Sequence, residues 1–133
     1  MRQKSKLRVP VTKGLKDIYA MDMHLAYSAA CAGRFNVTAF GRLGAAISVI
    51  RTAMQQRENI HPDAFAVLDK AIEVLLAVKI KGDTTGVWEI TPSEQPTVLI
   101  GIEVAEQCIG MLDVALLAET AASLLQNVYG GSR

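Results

Sequence analysis

Residues 36–54 read NVTAFGRLGAAISVIRTAM, and the spacing of their apolar side chains decides the fold class. Val37, Phe40, Leu43, Ile47, Ile50 and Met54 recur at intervals of three and four, which is the period of one face of an α-helix and not the alternation of a strand. Asn36 places a side-chain acceptor ahead of the first turn, so the helix is predicted to begin at Val37. Gly41, Gly44, Ala45 and Ser48 are small, and the two glycines and the serine cost helix propensity. Close packing of another helix would offset that cost, and these four residues are the expected interface of a homodimer.

The same period extends in both directions. Upstream, a helix is predicted from Gly14 or Leu15 to Ala32. Ile18, Met21, Leu25 and Ala29 form its expected core stripe, widened by Tyr19, Met23, Ala26 and Ala30, and Gly33 ends it. Downstream, His61-Pro62-Asp63 opens a third helix, with Pro62 in the first turn where its missing N–H costs nothing. Phe65, Leu68, Ile72, Leu75 and Val78 continue one face. Gly82-Asp83-Thr84-Thr85-Gly86 reads as a loop and Val87–Ile90 as an extended stretch in which Trp88 caps one end of the core.

Thr91-Pro92-Ser93-Glu94 has the pattern of a capping box. Pro96 removes a donor just beyond it, so the main helix is predicted to restart at Thr97. Residues 98–112 are apolar almost all round and belong at the centre of the fold. Asp113 is the expected cap of a last helix over 114–128, the alternative being one bent helix over 97–128. Four or five helices on short links imply an all-α bundle. The predicted organisation is a basic extended arm over 1–13, a compact four- to five-helix bundle over 14–129 and a tail over 130–133.

Charge divides the chain more sharply than its sum suggests. The formal net charge is +1. Yet residues 1–16 hold Arg2, Lys4, Lys6, Arg8, Lys13 and Lys16 with no acid, and the rest holds eight basic residues against all 13 acidic ones. An arm of +6 therefore precedes a body of −5. Pro10 disfavours helix at Val9, so the arm should be extended to about Thr12. It lacks the apolar core of an export signal. The six cations are candidates for contact with phosphates or an acidic protein surface.

Catalytic and metal chemistry find little support. The only histidines are His24 and His61, and the only cysteines Cys31 and Cys108. His24 and Cys31 lie two helical turns apart, about 10.5 Å along the axis, too far to share one zinc ion. Cys108 falls on the apolar central helix, where a thiol is inert. No nucleophile elbow, phosphate loop or dinucleotide fingerprint occurs. The chain is therefore expected to be no enzyme and to need no cofactor and no metal. Two thiols and no membrane-length apolar run suggest a reducing, cytoplasmic setting. A helix-turn-helix reading of Ala32–Asn36 would expose Thr38, Arg42, Arg51, Gln55 and Arg57. Arg42 and Arg51 sit on different sides of the helix, which leaves Arg34, Arg42 and Arg51 as weaker binding candidates.

The opening Lys4-Ser5-Lys6-Leu7-Arg8-Val9-Pro10-Val11-Thr12-Lys13-Gly14-Leu15-Lys16-Asp17, with His24 and the alanine-rich helix after it, resembles a family of small uncharacterised proteins of proteobacterial plasmids, prophages and genomic islands. Some of these carry the label of Fis-type transcriptional regulators. Gly86-Val87-Trp88-Glu89-Ile90-Thr91 is similar to that family's tryptophan-bearing segment. A Fis-type protein binds DNA with a basic C-terminal helix-turn-helix, whereas residues 98–129 here contain no Lys or Arg. The resemblance implies a mobile-element accessory protein acting on DNA regulation or on a host defence protein. The partner expected from residues and resemblance together is a macromolecule, nucleic acid or host protein, reached through the arm. The alternative is an inhibitor docking by a helix face.

Overall fold

A computed structural model describes residues 9–56 and 62–130, with side chains to 124. Among these residues five α-helices follow in order: α1 Lys13–Cys31, α2 Val37–Gln55, α3 Pro62–Thr85, α4 Gln95–Ile109 and α5 Val114–Gly130. The first four form a ring. α1 packs on α2 and α4, α3 packs on the same two, and α2 also meets α4 across the centre. Among the described residues α5 packs on α2 and on no other helix.

Local chemistry sets most of the boundaries. Asn36 Oδ1 accepts from the Ala39 amide at 2.9 Å and starts α2. Thr12 Oγ1 does the same for Leu15, so α1 begins at Lys13. Gly33 takes φ +74 to turn the chain out of α1, a conformation that a β-carbon disfavours. Glu94 Oε1 accepts from the Thr91 amide at 3.0 Å, which is the reach-back half of the capping box. Residues 92–94 form a turn, and α4 starts at Gln95 with Pro96 in its first turn, two residues before the predicted restart.

The break between α4 and α5 settles the open alternative for 97–128 in favour of two helices. Asp113 Oδ1 accepts from the Leu116 amide at 2.7 Å and caps α5. The extended segment Val9–Thr12 lies along this break. Val11 donates to the Leu112 carbonyl at 3.3 Å, and Val114 donates to the Val9 carbonyl at 2.8 Å. Val11 is itself buried. The fold therefore takes in residues that the sequence pattern assigned to the arm.

The core is built on α2. Leu43, Ile47 and Ile50 are fully buried, with Met54 beside them. Met23, Ala26 and Ala30 of α1, Leu68, Leu75 and Val78 of α3, and Val98, Ile102, Ala105, Cys108 and Ile109 of α4 close around that line. α4 meets three helices, as an almost entirely apolar segment requires. Its partner α3 approaches closely at Gly101, where a β-carbon would stand 2.5 Å from that of Ala71.

Three expectations need correction. On α1, Ile18, Met21 and Leu25 of the predicted core stripe face solvent and its fourth member, Ala29, is half-buried, whereas Met23, Ala26 and Ala30 of the flanking set are buried. Both sets are apolar at helical spacing. The alanine-bearing one lets α1 sit closely between α2 and α4, and periodicity alone does not distinguish them. At the end of α3, the predicted loop Gly82–Thr85 is helical. Trp88 folds back over Gly82, the Thr85 hydroxyl donates to the Lys81 carbonyl, and the turn falls on Gly86 at φ +79. Trp88 also packs on Phe40 at 5.2 Å between ring centroids, so the extended stretch after Gly86 closes one end of the core. Val37, first in the α2 stripe, is exposed.

Candidate binding surfaces

The arm is attached to a fixed point. Val9–Thr12 are held against the α4–α5 break, and the basic segment continues N-terminally from Val9. Arg2, Lys4, Lys6 and Arg8 lie outside the described residues. Lys13 is exposed and pairs with Asp17 at 2.9 Å one turn on, and Lys16 is half-buried. So of the six arm cations these two belong to α1, and Lys13 already has an acidic neighbour.

The weaker candidates separate. Arg34 and Arg42 are exposed. Arg51 turns towards α3, where its Nε donates to Asp69 at 2.7 Å and its guanidinium lies 5.3 Å from the centre of the Phe65 ring. A half-buried arginine held by a carboxylate and an aromatic face braces α2 against α3. It does not join Arg42 in an outward stripe.

The small residues of α2 also divide. Gly41 and Ala45 are exposed, Gly44 and Ser48 half-buried. A polar cleft of about 340 Å³ lies between Thr52 of α2 with Gln56 just beyond its end and Glu119, Thr120, Ser123 and Leu124 of α5. α5 therefore lies along α2 towards its C-terminal end. A β-carbon at Gly41 or Gly44 would meet nothing within 4 Å.

A second cleft, about 200 Å³, runs between α1 and α2. Asp22, Leu25 and Ala26 form one side, and Asn36, Thr38, Ala39 and Arg42 the other. This cleft and the exposed Ile18, Met21 and Leu25 beside it were missed in the sequence. The available signal was the presence of two apolar stripes on α1 where only one could be buried.

His24 Nε2 lies 2.7 Å from Glu106 Oε1 and ties α1 to α4. Cys31 is exposed, 3.6 Å from the Gln95 side chain. Cys108 is buried, and loss of solvation raises its thiol pKa, which suppresses the reactive thiolate. Neither cleft reaches His24 or Cys108. Among the described residues no three metal-ligating side chains converge, and no helix is long and apolar enough to cross a membrane. Comparison with protein-family models, with curated proteins and with solved structures finds no match.

Proposed function

We propose that this chain is a non-catalytic accessory protein of a mobile element, working in a reducing, cytoplasmic compartment, that binds nucleic acid through its basic N-terminal arm. The observation that carries the reading is the separation of charge: six cations and no acid in residues 1–16, ahead of a body with a net charge of −5. Phosphates attract such an arm, and neutralising them releases counterions. The acidic body keeps the rest of the chain away from the polyanion and leaves the arm as the contact. The anchoring of Val9 and Val11 on the α4–α5 break supports the reading, because it gives a short basic segment a rigid base.

Deleting residues 1–8 tests this while preserving the Val9–Thr12 segment that the fold uses. In gel-shift assays with duplex DNA and with single-stranded RNA, the full chain is expected to retard at least one probe and the deletion to release it. Equal retardation by both forms would overturn the reading. The alternative, docking on a host defence protein by a helix face, predicts a complex that salt leaves largely intact. A phosphate-bound arm would lose affinity steeply with salt.

A further inference from the structure

α1 leaves an apolar stripe in solvent. Ile18, Met21 and Leu25 are 58, 60 and 60 % exposed, and their spacing sets them on one line along the helix. Leu25 also lines the α1–α2 cleft, which has Asp22 on one side and Arg42 on the other. Gly41 and Ala45 are exposed on the neighbouring turns of α2. With nothing within 4 Å of a β-carbon at Gly41, another helix has room to approach the α2 backbone there.

The charges select the occupant. Neither Asp22 nor Arg42 belongs to an ion pair among the described residues. A polyanion would be repelled by Asp22, and a basic partner by Arg42. A second copy of the chain satisfies both. In a two-fold symmetric contact, a residue that meets a given partner residue is itself met by the reciprocal pair, so one acid and one base on the same face pair twice across the axis.

We propose that the α1–α2 face is the interface of a symmetric homodimer. Ile18, Met21 and Leu25 pack against the same stripe of the second copy, and Asp22 pairs with Arg42 of the partner subunit. Gly41 and Ala45 admit the close approach. Of the small residues predicted as a dimer interface, these two remain in it, while α5 lies along α2 further on. The proposal is independent of the arm and of what the arm binds.

Sedimentation of the full chain over a concentration series tests it, with circular dichroism melts confirming that each variant folds. Of the substituted positions, Leu25 and Arg42 are exposed and Asp22 is half-buried. The wild type is expected to pass reversibly from the 14.3 kDa chain mass to twice that value. Leu25→Lys should weaken association by about thirtyfold or more. Asp22→Arg and Arg42→Asp should each weaken it by about tenfold, and the double variant should restore it to near the wild-type constant. A wild type that remains monomeric throughout would overturn the proposal and leave the face to a different protein. A dimer indifferent to Leu25→Lys, or a double variant no tighter than the singles, would overturn it equally.

Discussion

Gly82→Ala sets two effects of opposite sign against each other. Gly82 lies in the last turns of α3, and in an open helix the change to alanine stabilises by about 1 kcal/mol. Here the new β-carbon would fall 2.4 Å from Cδ2 and Cε2 of Trp88 and 2.7 Å from Cε3. The indole must move. Overpacking of this kind costs about 1–3 kcal/mol, and displacing Trp88 from Phe40 removes an aromatic pair worth about 0.5–1.5 kcal/mol. The net expectation is destabilisation by about 0.5–3.5 kcal/mol, once the propensity gain is set against both losses. Urea unfolding followed by helical circular dichroism reads the stability, and the fluorescence of Trp88, the sole tryptophan, reads its environment. The decisive comparison uses a Trp88→Ala background, where the clash is gone and Gly82→Ala should stabilise by about 1 kcal/mol. A stabilising Gly82→Ala in the wild-type background, or the same sign in both backgrounds, would refute the placement of Trp88 on α3.

Four further outcomes follow from the fold. Leu43→Ala empties a fully buried position on the central helix and should cost about 2–5 kcal/mol in chemical denaturation. Asp113→Ala removes the 2.7 Å bond to the Leu116 amide and should cost about 1 kcal/mol. Its effect should appear in hydrogen exchange as faster opening of the first turn of α5, with α1 little changed. A disulfide reagent should modify exposed Cys31 quickly and buried Cys108 only on unfolding. Burial raises the Cys108 thiol pKa in the folded state alone, so unfolding releases protons in alkaline solution. The contribution of this group to stability is therefore full below the ordinary thiol range and is lost as pH rises through the folded value, which denaturation midpoints compared with those of Cys108→Ala would show.

The parts of the fold written in short-range chemistry could be read from the chain. Asn36 and Asp113 announced helix starts, and Thr91–Glu94 the turn ahead of α4, because each is a contact between residues about a turn apart. The inward face of α3 was equally plain, since it carries one strong apolar stripe. Long-range choices were not legible. Two stripes on α1 were both apolar, and only the arrival of α2 and α4 decided between them. Gly82 looked like a helix stop because its reason for being glycine, the indole of Trp88, comes from a segment beyond the turn. Arg51 looked like a surface cation until Asp69 and Phe65 of α3 came to meet it. On the candidate surfaces, the basic arm was visible as composition, whereas the α1–α2 cleft required the packing of both helices.

The salt dependence of nucleic-acid binding tests the central claim most directly. Fluorescence anisotropy with a labelled duplex, titrated across a salt series, should be run on the wild type and on a variant with Arg2, Lys4, Lys6 and Arg8 all replaced by Gln. Those four changes leave Val9–Thr12 in place. Each phosphate contact contributes about −0.9 to the slope of log affinity against log salt. If all four cations reach phosphates, the variant slope should be shallower than the wild-type slope by roughly three to four, with a large loss of affinity at low salt. Equal slopes and equal affinities for the two proteins would contradict the account.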